Sequence, residues 1–153
     1  MENSAHFKET LVNTCVQMIE EKLANIDKEL VLVQKSANEE TKSSAGDKYE
    51  TGRAMLMLEK EKLLGQKEQL LNQLKPLKSI DSKKVSDKVE LGAIIQTTGN
   101  KYFISSALGQ IELGKDSYFV ISAMAPIAQA MLGKQVGETF AFNKTSFEIT
   151  EIY

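Results

Sequence analysis

Two carboxylates, Asp47 and Glu50, stand three residues apart in a short polar stretch between two long amphipathic segments. If this stretch opens a helix, both side chains face the same side of its first turn. Two converging carboxylates can give Mg²⁺ one or two oxygen ligands and leave its other positions for water or a substrate phosphate. Such a pair does not hold the ion tightly alone, so a second protein would have to supply further ligands.

The same spacing also has a purely structural interpretation. Gly46 ends any preceding helix, Asp47 has the chemistry of an N-cap, and Glu50 stands where the acid of a capping box belongs. Both acids would be stabilised by the positive end of the helix dipole. Spacing alone therefore favours a helix cap over a metal site.

A long helix is predicted before this stretch, from about Ser4 to Asn38 and roughly 50 Å in length. Its apolar residues recur at alternating steps of four and three, which is the a/d seam of a coiled coil. The seam comprises Val12, Val16, Ile19, Leu23, Ile26, Leu30, Val33 and Ala37. A single helix cannot bury this stripe, so the pattern requires a partner helix.

A second helix is predicted from about Lys48 to Leu74, with Pro76 ending it or lying just beyond. Leucine and methionine pairs recur in it at heptad intervals, and Met55, Met57 and Leu58 are interpreted as core packing near a bend. A short break between two such helices is typical of a hairpin. We therefore expect an antiparallel coiled-coil hairpin over residues 1–77, with its tip at about 39–52.

Residues 78–88 read as a linker, after which the apolar period changes from helical to strand-like. A short helix is predicted over Pro126–Gly133, with proline in its first turn and glycine closing it. The expected strands are Val89–Gln96, Lys101–Ser106, Gly109–Gly114, Ser117–Ala123, Thr139–Phe142 and Ser146–Ile152, the last two joined by a turn at Asn143-Lys144-Thr145. The fold class is thus α+β, with an antiparallel sheet and one short helix on its concave face over residues 89–153.

Composition excludes several function classes. The net charge of −2 gives no overall basic field for nucleic acid. Cys15 is the single cysteine, so no internal disulfide can form, and with His6 as the single histidine a zinc or Cys/His nucleophilic site is not expected. The first residues lack a signal-peptide pattern, and no apolar run approaches the ~20 residues of a membrane span. We expect a cytoplasmic protein without a membrane partner.

The segment Ala125-Pro126-Ile127-Ala128-Gln129-Ala130-Met131-Leu132-Gly133-Lys134-Gln135-Val136-Gly137-Glu138 resembles the S-P-I-A-x-x-L-x-G-K-x-x-G-D segment of the Gre transcript-cleavage factors of bacterial RNA polymerase. That family joins an N-terminal antiparallel coiled coil to a C-terminal domain of FKBP-like fold, in the same order. Gly46-Asp47-Lys48-Tyr49-Glu50 matches the family's G-D-x-x-E tip at the corresponding place.

The resemblance implies a transcription elongation factor whose coiled coil enters the secondary channel of RNA polymerase. There Asp47 and Glu50 would help to hold the second catalytic Mg²⁺ and stimulate cleavage of backtracked RNA. The chain would be a cofactor of the polymerase's cleavage activity rather than an enzyme on its own. RNA or DNA would be contacted only within the polymerase complex.

Three departures from the family keep alternatives open. Thr51-Gly52-Arg53-Ala54 replaces the N-A-E-Y that usually follows the second acid, and Ala125 replaces the usual serine. The basic face of the family's coiled coil is present only in part, through Lys60, Lys62 and Lys67. The chain could thus be a polymerase-binding regulator that does not stimulate cleavage, or a coiled-coil interaction module unconnected with transcription.

Overall fold

A computed structural model describes the backbone of residues 2–41 and 46–153 and the side chains of residues 6–39 and 51–153. Two long helices come first, α1 (Glu2–Thr41) and α2 (Gly46–Ser79). The remaining elements in this part of the chain are β1 (Ile94–Thr97), β2 (Lys101–Ser105), β3 (Gly109–Leu113), β4 (Asp116–Ser122), α3 (Pro126–Met131), β5 (Thr139–Phe142) and β6 (Thr145–Ile152). The predicted α+β class is therefore confirmed. Residues 42–45, in the centre of the predicted tip, lie outside the described residues.

The chain divides into two compact units. The helical unit comprises residues 17–72, and the sheet unit comprises residues 1–16 together with residues 73–153. Both divisions fall inside the long helices, so the start of α1 and the end of α2 belong to the same unit as the sheet. The predicted domain boundaries at residues 77 and 88 stay predictions.

In the helical unit, the heptad seam supplies the buried side chains. Ile19 and Ile26 of α1 and Leu63 of α2 are at most 9% exposed. Polar contacts between the helices include Lys67 Nζ at 2.8 Å from Asp27 Oδ1 and Lys60 Nζ at 3.3 Å from Gln34 Oε1. A step of seven residues forward along α1 thus corresponds to seven residues backward along α2, so the contacts run in opposite directions along the two helices.

Helix α2 continues to Ser79, with Pro76 inside it, so the predicted end near Leu74 is wrong. Burial favours the extra turn because Leu77 is only 1% exposed. Proline removes a helical donor and disturbs the preceding carbonyls. In the same turn the Ser79 hydroxyl donates to the Pro76 carbonyl at 2.7 Å. Tertiary packing therefore overrides the helix-ending tendency of proline.

The sheet has the strand order β3-β4-β2-β1-β6-β5. Strands β2 and β4 are parallel, with Phe103 opposite Val120, whereas the other neighbouring pairs are antiparallel. The prediction of a purely antiparallel sheet is therefore wrong. The chain reverses direction after β2, but β3 does not pair with β2. Strand β4 lies between β2 and β3 and pairs with both. Because β4 forms an antiparallel pair with β3, it has to run in the same direction as β2.

The first strand begins at Ile94 and is shorter than the predicted Val89–Gln96, although Gly92 and Ala93 still bond to the backbone of Ile104 in β2. Val89 exchanges two hydrogen bonds of 2.8 Å with the loop after α3, one with the Lys134 carbonyl and one with the Gly133 amide. Gly92 then adopts a φ of 90°, a left-handed conformation that interrupts an extended strand. At Val89 the apolar pattern thus reflects burial rather than strand pairing.

Both faces of the sheet are covered. On one face, Ala128 and Met131 of α3 pack into a cluster with sheet residues and with Val89. The sheet residues of this cluster are Ala93, Ile95, Tyr102, Ile104, Phe140 and Ile149. On the other face, Phe103 and Val120 are fully buried. The start of α1 reaches that face, where the rings of Phe7 and Tyr118 lie 5.3 Å apart.

The hairpin between β5 and β6 is tighter than predicted. Phe142 pairs with Thr145, so the turn contains only Asn143 and Lys144. Both turn residues have positive φ, 51° and 66°, which is the conformation of a two-residue type I′ turn. The strand β6 consequently begins at Thr145 instead of Ser146.

Candidate functional site

The backbone places both predicted metal ligands at the start of α2. The described part of this helix runs from Gly46, so Asp47 and Glu50 both lie near its start, and the N-cap role predicted for Asp47 stays a prediction. Glu50 follows three residues later on the same side of the helix. The side chains of Asp47 and Glu50 lie outside the described residues, so the convergence of their carboxylates stays a prediction. Acids in this position are stabilised by the helix dipole whatever else they do.

Apolar side chains close to this helix start are exposed to solvent. Met55, Met57 and Leu58 are 66%, 55% and 65% exposed, so their predicted role in core packing is wrong. The heptad line through the half-buried Leu56 and the buried Leu63 is more buried than these three residues. The methionines and Leu58 lie one or two residues off that line on a helix of 3.6 residues per turn.

A groove of about 350 Å³ runs along the helical unit. Its apolar lining comes from both helices: Val33, Ala37, Leu56, Met57 and Leu64. Gln34, Arg53, Lys60 and Glu61 supply its polar margin. The groove is therefore an apolar, solvent-accessible surface that begins a few residues after the predicted metal ligands.

The basic residues of α2 are partly engaged by α1. Lys67 forms an ion pair with Asp27, and Lys60 donates to Gln34. Lys62 is exposed. The charge of Lys67 is thus offset within the helical unit, and a basic face for RNA would rest mainly on Lys60 and Lys62.

The single cysteine and histidine do not form a reactive site. Cys15 is fully buried, and burial raises the pKa of its thiol to about 12, so the thiol stays protonated at neutral pH. His6 is exposed near the start of α1. Among the described residues, no group of three His, Cys, Asp or Glu side chains could hold a metal ion. Within those same residues, no helix has the length and apolar character needed to cross a membrane.

The segment that carries the family resemblance forms α3 and the loop after it. Pro126 occupies the first turn, where its missing N–H costs nothing, and Ala128 and Met131 face the core. Gly133 and Gly137 have φ values of 80° and 90°, which favour glycine. The Gly137 amide also donates to the Ile149 carbonyl at 2.8 Å. The segment's proline and glycines thus each have a structural role in the sheet unit.

One chemically unusual residue, Lys8, was not predicted from the sequence. Its side chain is only 2% exposed, although lysine is almost never fully buried. The position stands four residues before Val12 of the heptad seam, so it continues the buried side of α1 toward the N-terminus. This spacing was the signal that could have identified it.

No protein-family model matches the chain, and a search of curated proteins finds no significantly similar sequence.

Proposed function

We propose that the protein is a Gre-like transcription factor that binds bacterial RNA polymerase and stimulates cleavage of backtracked RNA. The observation that carries the proposal is the order of its parts. Two helices of 40 and 34 residues, joined by contacts that run in opposite directions, precede a small α+β unit. The segment from Ala125 to Glu138 in that unit resembles the corresponding segment of the Gre family. The partner is cytoplasmic, so the proposal includes a cytoplasmic location.

The proposed fold is an antiparallel coiled-coil hairpin followed by an FKBP-like domain. The contacts Asp27–Lys67 and Gln34–Lys60 support the hairpin because their spacing is seven residues on each helix. The short helix α3, packed on one face of a six-stranded sheet, supports the second part only as an architecture. An FKBP-like fold would not imply isomerase activity, since function depends on the site and not on the fold.

In this proposal the tip of the hairpin enters the secondary channel, where Asp47 and Glu50 act together with the polymerase. The polymerase supplies most of the ligands, and the two acids complete the binding of its second Mg²⁺. That ion would favour phosphodiester hydrolysis by activating water and stabilising the charge on the phosphate. The sheet unit would dock on the rim of the polymerase.

The test is a transcript-cleavage assay on stalled bacterial elongation complexes, with polymerase binding measured in parallel. We expect wild-type protein to shorten the stalled RNA, and Asp47→Ala and Glu50→Ala each to abolish this stimulation while binding persists. Glu39→Ala is a matched control, because Glu39 is an exposed acid near the other side of the break. It should cleave like the wild type.

The outcomes separate the alternatives. Polymerase binding without stimulated cleavage by the wild type would indicate a regulator of the same architecture that lacks the cleavage function. Failure to bind core polymerase would indicate a coiled-coil interaction module unconnected with transcription. Equal cleavage by the wild type and both acid variants would refute the metal-binding role of Asp47 and Glu50.

A further inference from the structure

Lys8 lies in the sheet unit with its amine directed at the backbone of the segment after α2. Its Nζ donates to the Lys84 carbonyl at 2.8 Å. Among the described residues, no carboxylate forms an ion pair with Lys8. The nearest candidates are engaged elsewhere: Glu90 pairs with Lys84 Nζ at 3.1 Å, and Asp81 Oδ1 accepts from the Lys83 amide at 3.0 Å. The amine is thus buried with one neutral acceptor.

A cleft of about 170 Å³ adjoins this lysine. Besides Lys8, it is lined by Ser79, Ile80, Asp81, Lys84, Ser86, Leu91 and Gly92. A site needs only ~10–15 Å³ of such space to hold one water molecule, so this cleft has room for several. It therefore also has room for a two-carbon acyl group attached to the lysine nitrogen.

The surroundings favour the uncharged amine. Burial lowers the pKa of Lys8 to about 8, although the charge of Glu90 opposes this shift, as does that of Asp81. The positive charge of Lys84 acts in the same direction as burial. Near neutral pH a larger share of Lys8 is therefore unprotonated than of an ordinary lysine.

We propose that Lys8 is a site of N-acylation by small activated acyl donors such as acyl phosphates. The unprotonated amine attacks the acyl carbon, and the new N–C bond forms as the bond from that carbon to the phosphate oxygen breaks. Phosphate leaves, and the proton lost from nitrogen passes to water. The product is an uncharged amide whose acyl group occupies the cleft. The remaining N–H can still donate toward the Lys84 carbonyl.

The test treats the full-length protein with acetyl phosphate at pH 7.5 and measures acetylation of each lysine over time. Digestion with a protease that cleaves after glutamate keeps the peptides the same whether or not lysine is modified. Lys115 is the internal reference, because it is an exposed lysine of the same unit. We expect acetylation of Lys8 to be at least about tenfold faster than that of Lys115, because burial favours the uncharged form of the Lys8 amine.

The pH dependence of the acetylation rate distinguishes a Lys8 amine with a lowered pKa from one that is only accessible to the reagent. We expect the acetylation rate at Lys8 to level off above pH 8 to 9, where its amine is fully unprotonated. In Lys8→Arg the fast-modified peptide should disappear, and the slow modification of the other lysines should be unchanged. Acetylation of Lys8 at or below the rate of Lys115 would overturn the proposal, since burial would then protect the amine and not activate it.

Discussion

The hydroxyl group of Ser106 donates a hydrogen bond to the backbone carbonyl of Gln73, three residues before Pro76. The Gln73 side chain also donates to the Ala107 carbonyl at 3.3 Å. A proline inside a helix weakens the hydrogen bonding of the preceding turn. The two contacts fasten that turn to the segment between β2 and β3.

We expect Ser106→Ala to destabilise the protein by about 1 kcal/mol, because the hydroxyl is buried and its bond is lost. The neighbouring Ser105 is a matched control. It is equally buried at 3% exposed, but within the described part of the chain its hydroxyl has no hydrogen-bond partner. Ser105→Ala should therefore be neutral or slightly stabilising. Urea unfolding of both variants measures the difference, and equal losses would show that the Ser106 contact contributes nothing specific.

Leu63 and Leu64 are adjacent in α2 but differ in burial, at 2% and 46% exposed. We expect Leu63→Ala to cost about 2–5 kcal/mol, because it leaves a cavity between the two helices. Leu64→Ala should change the free energy of unfolding by less than about 1 kcal/mol. Thermal unfolding followed by circular dichroism at 222 nm compares them. Similar losses for both variants would contradict the register in which the heptad line through Leu63 faces α1.

Gly99→Ala and Gly65→Ala are expected to have opposite effects on stability. A Cβ at Gly99 would lie 2.7 Å from Cε1 of the Phe147 ring, which itself packs against Phe140 with ring centroids 5.4 Å apart. We expect this crowding to cost about 1–3 kcal/mol.

At Gly65, an exposed position inside α2, a Cβ would meet nothing within 4 Å. The higher helix propensity of alanine should therefore stabilise the protein by about 0.5–1 kcal/mol. The melting temperatures of the two variants show directly whether each substitution stabilises or destabilises the protein. A destabilising Gly65→Ala would mean that α2 is not a regular helix at that point.

The buried Lys8 makes stability depend on pH. Its pKa falls from the ordinary 10.5 to about 8 on folding, mainly through burial. Between these two values the unfolded chain binds a proton that the folded chain does not, so the free energy of unfolding rises with pH across this window. Below pH 8 the cost of the buried charge is fully present. It amounts to at most about 3 kcal/mol.

Comparison with Lys8→Met isolates this contribution, because the variant lacks the titrating amine and keeps a chain of similar length. The stability of the wild type relative to Lys8→Met should increase between pH 8 and 10.5. Lys115→Met, at an exposed position of the same unit, controls for the loss of one lysine charge. If the stability curves of the wild type and Lys8→Met were parallel, the Lys8 amine would titrate alike in the folded and unfolded chains.

Local sequence signals determined much of this architecture. The heptad seam from Val12 to Ala37 predicted α1, and the change to a two-residue period predicted strands close to those observed for β2, β3, β5 and β6. Proline and glycine at the ends of Pro126–Gly133 located α3. These signals succeeded because helix periodicity and turn chemistry depend on residues a few positions apart. The role of Asp47 and Glu50 stays a prediction, because two acids at this spacing are typical both of a helix start and of a metal site.

Only the tertiary structure decided which strands became neighbours and which polar groups became buried. Three features depend on segments that are distant in the chain. They are the parallel pairing of β2 with β4, the continuation of α2 past Pro76 and the burial of Lys8. Alternation along one strand fixes which face is apolar, but it carries no information about the adjacent strand. Likewise, a lysine four residues before Val12 becomes a buried amine only because residues 79–92 fold over it. Non-local packing energies, which no local spacing encodes, selected these features.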